Sequence, residues 1–322
     1  MAVLVRAYQH GIYPRSEGVV AATRGLERGR VSQDEVDAAF DQDRADFVAA
    51  QREAGLDVFS DGLLRWQDIF RPLVESANGL EARTLVRWFD NNSFFRAPEP
   101  SGDLSLAAEV PAIYGRSEDV PSPRVATLPS PFMFSRAAQT TGDRDALMME
   151  LSREILAPMA AALAAQGYEV IHLQEPWLTY FGIEADSWDD FEKALTDLRS
   201  ALPEGTTLVL HTYFGDPAAH IDRLRHLPVD AVGVDLVETD ASELGSGWEC
   251  AILAGCLDGR SSLVEPADAV VAMVRDLVER TGAPSLLVSS SCDLELLPRD
   301  LARSKVLRLG EIAARLNEEL GS

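Results

Sequence analysis

Lysine is almost missing from this chain. Only Lys193 and Lys305 occur among 322 residues, and arginine supplies the rest of the 29 cations, set against 52 acidic residues for a formal charge of −23. Gripping nucleic-acid phosphates takes clustered cations, so this balance argues against a nucleic-acid partner and against an anionic membrane surface. No run comes near the roughly 18–20 apolar residues of a membrane span. The opening MAVLVRAYQHGIYPRSEG has no long apolar core and no small-residue cleavage site, so it reads as mature structure, not as a secretion signal. Cysteine is scarce as well. Cys250, Cys256 and Cys292 are too few, and odd in number, for a disulfide framework. A reducing cytoplasm is the expected setting, with each thiol buried or free to act as ligand or nucleophile.

What is present is an alternation. Short apolar runs at 3–8, 55–62, 124–131, 168–176, 207–215, 230–238, 250–259 and 285–292 are separated by helical patterns, among them 32–54, 143–166, 187–201, 217–226, 266–281 and 298–319. Ser32 followed by Glu35 is a capping-box signature for the first of these. Short buried strands alternating with helices predict a parallel sheet covered by helices. About eight such units over residues 1–322 predict a single α/β domain, a (β/α)8 TIM barrel, with an inserted hairpin-like segment around residues 80–123. A doubly wound open sheet is the alternative, and no strand is followed by the glycine-rich turn that would favour it.

Polar residues gather at the C-terminal ends of the expected strands: Asp61 and Arg65, Gln174 and Glu175, His211 and Tyr213, Glu238, Asp258 and Arg260, and Cys292. In a barrel these ends meet at one mouth, where catalytic residues sit. His211, Glu238 and Cys292 offer imidazole, carboxylate and thiolate, a donor set suited to zinc. The competing reading is a buried histidine, a capping glutamate and a buried cysteine.

Seven segments in order carry a family resemblance. They are GIYPR (11–15), QREAGLDVFSDGLLRWQD (51–68), VIHLQEPWL (170–178), LHTYFGD (210–216), VDLVE (234–238), CLDGRSSLVEPADAV (256–270) and VSSSCDL (288–294). Together they resemble the catalytic C-terminal domain of cobalamin-independent methionine synthase and its short single-domain relatives, in the superfamily that also holds uroporphyrinogen decarboxylase. The resemblance implies a zinc ion held by His211, Glu238 and Cys292, with Tyr213 at a fourth position that is Cys in the family. It implies catalytic roles for Tyr213, Asp258 and Glu175, and a substrate pocket at Ile12, Leu63, Gln174 and Arg65. At Ile12, Leu63 and Gln174 the family has Ser, Glu and Asp. Two carboxylates that would pair with an ammonium are therefore gone, and an unpaired buried charge is costly. Arg65 is also expected to form a scaffold ion pair with Asp68 or Asp61, and Glu175 can equally be structural.

The implied activity is zinc-dependent methyl or alkyl transfer to a small-molecule thiol, with an altered amino-acid pocket. The implied donor is a methylated folate or pterin, or a methyl-corrinoid protein. Two other classes stay open: a metal-free paralogue acting as a binding or partner protein, and a related lyase or hydrolase.

Overall fold

The computed structural model describes residues 3–107, 114 and 117–321. Seven parallel strands run side by side in the order β1 (Leu4–Ala7), β9 (Ser285–Ser290), β8 (Ala251–Leu257), β7 (Ala231–Asp235), β6 (Thr207–Thr212), β5 (Tyr168–Glu175) and β4 (Arg124–Pro129). The two ends of this sheet meet on an eighth segment. Asp57 N donates to Ala7 O at 2.9 Å, Phe59 N to Pro123 O at 2.8 Å, and Val125 N to Phe59 O at 2.9 Å. Phe59 bridges Arg124 in parallel. Residues 57–59, a bridging segment and not the regular strand expected at 55–62, thus stand at the eighth position and close the seven-stranded sheet into the barrel that the sequence predicts.

The barrel interior is layered because side chains two apart on a strand share a face. Its floor takes one apolar residue from each of the eight: Tyr8, Val58, Val125, Val170, Val209, Ala231, Leu253 and Leu287. One step towards the C-terminal ends, the inward positions turn polar, with His172 on β5, His211 on β6 and Ser289 on β9, all fully buried. Most of the outer strand faces pack in a second apolar cluster that includes the covering helices.

Ser32 caps the helix Gln33–Ala54 through the full capping box with Glu35. The expected helix 143–166 is interrupted. Its α-helical parts Arg144–Leu151 and Ala157–Ala165 flank a π-helical turn, Ser152–Leu156. Pro158 supplies no N–H for the ordinary ladder at that point. The expected helix 217–226 is reduced to a 3-10 turn, Ala218–His220, and one α turn, Ile221–Leu224.

The inserted segment is a hairpin of β2 (Ala77–Arg87) and β3 (Phe94–Leu106). Residues 108–113, 115 and 116 of the expected insertion lie outside the described residues. Asp68 fastens the hairpin to the barrel: it accepts from Phe70 N at 2.9 Å, Arg71 N at 2.7 Å and Arg96 N at 3.1 Å. The hairpin tip reaches over the mouth, where the Phe89 ring stands 5.7 Å from Trp177 and 5.4 Å from Phe214.

Candidate functional site

The centre of the mouth is a cluster of three buried imidazoles, His10, His172 and His211. Each offers a ring nitrogen lying within 4.8 Å of the other two. His10 follows β1. His172 and His211 point inward from β5 and β6, whose register sets Gln174 beside His211. Space for the His211 ring comes from two glycines. A Cβ at Gly233 would fall 2.5 Å from its Cδ2, and one at Gly255 would fall 3.0 Å from its Nε2.

The three rings are held differently. His10 Nε2 lies 3.2 Å from Ser290 O, and its Nδ1 faces the Gln174 amide at 3.5 Å and Asp293 Oδ1 at 3.7 Å. His172 Nδ1 pairs with Tyr8 Oη at 3.0 Å, while its Nε2 has no partner among the described residues. Neither nitrogen of His211 has one. Burial pushes the His10 pKa down to about 4, against an upward pull from the Ser290 carbonyl. Burial likewise lowers His172 and His211 well below the ordinary value. The rings are therefore neutral, the form in which imidazole accepts a metal.

Zinc is the metal that the family resemblance implies, and the orphaned nitrogens of His172 and His211 suit it. His10 stacks on His172 at 4.1 Å with planes 13° apart. In-plane lone pairs of parallel rings do not converge, so His10 would have to turn to share one ion with His172. The structure groups His211 with His10 and His172, not with Glu238. The Glu238 side chain is 40% exposed and forms an ion pair with Arg260. Cys292 is buried, with its Sγ 3.6 Å from Asp293 O, and burial pushes its thiol well above the ordinary range. Among the described residues, His211, Glu238 and Cys292 do not form a converging trio.

The remaining expected residues divide by what they touch. Tyr213 is fully buried beside His211, ring centroids 5.5 Å apart, with a hydroxyl that has no partner among the described residues. Its position is fixed by the next residue, Phe214, which takes φ +63°. Asp235 steadies that turn by accepting from Phe214 N at 3.2 Å. A left-handed conformation is costly for a bulky residue and is held only by such surroundings.

Glu175 is a cap. Its carboxylate accepts from Leu178 N at 2.9 Å, Met133 N at 3.0 Å and the Ser130 hydroxyl, so it serves the first turns of both Pro131–Ala137 and Pro176–Phe181. Asp258 shapes a turn by accepting from Arg260 N at 2.8 Å. Ile12 and Leu63 are buried and apolar. Arg65 lies at the surface, paired with Asp37 at 2.7 Å and Asp41 at 3.6 Å, and stacked over Phe40. Its scaffold ion pair therefore exists, but with acids of the helix Gln33–Ala54 and not with Asp68 or Asp61.

A family model described as cobalamin-independent synthase, N-terminal domain, matches residues 73–282. This chain belongs to the cobalamin-independent synthase family. The matching description is of the N-terminal domain, whereas the motifs above were set beside the catalytic C-terminal domain. A 5-methyltetrahydropteroyltriglutamate–homocysteine methyltransferase of Salinibacter ruber is 28% identical over 236 residues, covering 70% of this chain and 30% of that protein. A methionine synthase of Sulfolobus acidocaldarius is 24% identical over 325 residues, covering 96% of this chain and 91% of that protein. In fold, the chain is similar to a B12-independent methionine synthase from Shewanella sp. W3-18-1 solved with selenomethionine. The TM-score is 0.79 at 18% identity, over 99% of each chain. No helix among the described residues is long and apolar enough to cross a membrane.

Proposed function

We propose that this chain, as one barrel unit, transfers a methyl group to a small-molecule thiol at the barrel mouth, with zinc bound beside His211. The observation that carries the reading is the pair of buried imidazoles, His172 and His211, whose nitrogens are left without partners among the described residues at the mouth of a barrel of this family. A burial of this kind without partners costs free energy, and a ligand atom removes that cost. When bound, zinc favours the thiolate form of a thiol, the nucleophile for methyl transfer. His172 and His211 would hold it, with His10, the third imidazole of the cluster, and Cys292, the thiol that the resemblance implies, as candidates to complete the set. Tyr213, protonated because burial pushes its pKa well up, offers a hydroxyl donor at the His211 side. The apolar floor lies below this site, and the Phe89 tip of the hairpin packs on Trp177 and Phe214. The names of the relatives point to a methylated folate-type donor, and a family described as cobalamin-independent gives no support to a corrinoid carrier.

A second reading, a metal-free binding protein on the same barrel, is favoured by one observation: Glu238 is already neutralised by Arg260. Metal analysis of freshly purified protein separates the two. The proposal expects near-stoichiometric zinc, lost in His211→Ala and His172→Ala. Retention of zinc in Glu238→Gln, with loss in Cys292→Ser, would add the thiol to the histidines. Protein that carries no zinc and takes none up would overturn the metal-dependent reading. Methyl transfer from methyl-tetrahydropteroyl donors to a panel of thiols then tests the reaction itself.

A further inference from the structure

Seven of the eight floor residues of the barrel are Val, Ala or Leu, and the eighth is Tyr8. An apolar floor needs no hydroxyl. The Tyr8 backbone is fixed on both sides, its N–H donating to Val288 O at 3.2 Å and its carbonyl accepting from the Ser289 hydroxyl at 2.7 Å. From there the fully buried phenol meets the His172 ring nearly at right angles, centroids 5.8 Å apart, and its hydroxyl pairs with Nδ1 at 3.0 Å. A neutral imidazole has one bare nitrogen, and the partner of either nitrogen decides which it is. The three rings of the cluster differ in this respect. The Ser290 carbonyl at His10 Nε2 can only accept, so the His10 hydrogen sits on Nε2 and its bare Nδ1 faces the Gln174 amide. His211 lacks a partner at both nitrogens among the described residues. At His172 the partner is a hydroxyl, which both donates and accepts. It donates to Nδ1 when the ring hydrogen is on Nε2, and it accepts when that hydrogen is on Nδ1.

We propose that Tyr8 is a positioning residue: its hydroxyl holds Nδ1 of His172 and so makes Nε2 the nitrogen that this ring offers to a ligand at the mouth. The assignment rests on the zinc reading for the identity of that ligand, not for the hold on the ring. With an ion on Nε2, the ring hydrogen lies on Nδ1 and is given to the Tyr8 oxygen, the support that a liganding histidine takes from a neighbour. With the site empty, the hydrogen returns to Nε2 and the hydroxyl turns to donate. The ring changes what it offers with no change of charge. His10, tied to a carbonyl that cannot reverse, has no such freedom at Nε2. His172 is therefore the second ligand beside His211, and Tyr8 is what makes it one.

Tyr8→Phe keeps the ring on the floor and removes the oxygen. Titration of the full chain with zinc against a competing chelator should show binding roughly tenfold to a hundredfold weaker than in the parent, the cost of losing such a support. Nitrogen NMR of histidine-labelled protein reads the ring itself, with the His172 signals identified by their absence in His172→Ala. In the metal-free parent Nδ1 should report a hydrogen-bonded nitrogen. In Tyr8→Phe that signal should move, while those of His220 and His226, outside the cluster, stay in place. A merely structural tyrosine would lower stability without moving it. Weaker zinc binding with an unmoved signal, or a moved signal with unchanged zinc binding, would overturn the assignment. So would a free mixture of tautomers at His172 in the parent, a result that needs no variant at position 8 and holds even if Tyr8→Phe fails to fold. If the parent takes up no zinc, the zinc reading falls alone and the ring signals still decide the role of Tyr8.

Discussion

Glu175 and His211 sit on neighbouring strands at the same mouth, and both are fully buried. Glu175 has every oxygen engaged, by two helix N-termini and a hydroxyl. His211 has no partner on either nitrogen among the described residues. Buried polar groups are nearly always satisfied, so the first arrangement is how a scaffold uses a polar residue. The second is a cost that the fold carries for something it binds. Read by residue type alone, both are catalytic candidates. Counting partners separates them.

The largest way to test that contrast is Glu175→Ala. It leaves Leu178 N and the Ser130 hydroxyl without their acceptor and uncaps the helix Pro176–Phe181, while Met133 N keeps Ser130 Oγ at 3.0 Å. Unfolding in urea should show a loss of about 3 kcal/mol, one cap at roughly 1 kcal/mol plus about 2 kcal/mol for the stranded buried donors. A loss below about 1 kcal/mol would mean that water replaces the carboxylate freely and that the cap is ornamental.

The next effect is on pH. Burial raises the Glu175 pKa to about 7, against the pull of its donors. The folded state then holds a proton that the unfolded chain has released above its ordinary value of 4.5. The stability due to this group is fully present below about pH 4.5 and is lost as pH rises through 7. Glu175→Gln removes the titration, so stability should fall less steeply between those values, by at most about 1.4 kcal/mol per pH unit. Parallel urea curves at pH 5, 6 and 7 for parent and variant measure the difference. Identical slopes would place the Glu175 pKa near its unfolded value.

The barrel and its hairpin were legible because short buried runs, split by polar turns, have few alternatives in a parallel sheet. The break at 152–156 could have been read from Pro158. The site was legible only in part. His211 stood at a strand end and matched a motif. His172 lies inside VIHLQE, where a lone histidine reads as core, although its two-residue offset from Gln174 puts both on the inward face. His10 needed the closure of the barrel to reach them. Glu238 sits three residues past the end of β7, and what turns it outward is Arg260, 22 residues on. Asp293 owes its place to the missing side chain at Gly11, a contact across 282 positions that no local pattern reports.

The smallest expected effect is the sharpest test of the comparison. His211→Leu replaces an imidazole without partners by an apolar side chain that fills much the same space between Gly233 and Gly255. No hydrogen bond of the ring is lost, because it makes none among the described residues. Two desolvated nitrogens disappear, and some packing is given up to the new shape. In metal-free protein the stability should stay within about 1 kcal/mol of the parent, where a satisfied buried residue such as Glu175 costs several times more. Added zinc then separates the two proteins. At a hundredfold excess over its Kd the ion should stabilise the parent by about 2.7 kcal/mol and the variant by almost nothing. Thermal unfolding with and without zinc reads both numbers. A large loss in the metal-free variant would mean that His211 has partners in solution after all, and that its open nitrogens are no sign of a bound ion.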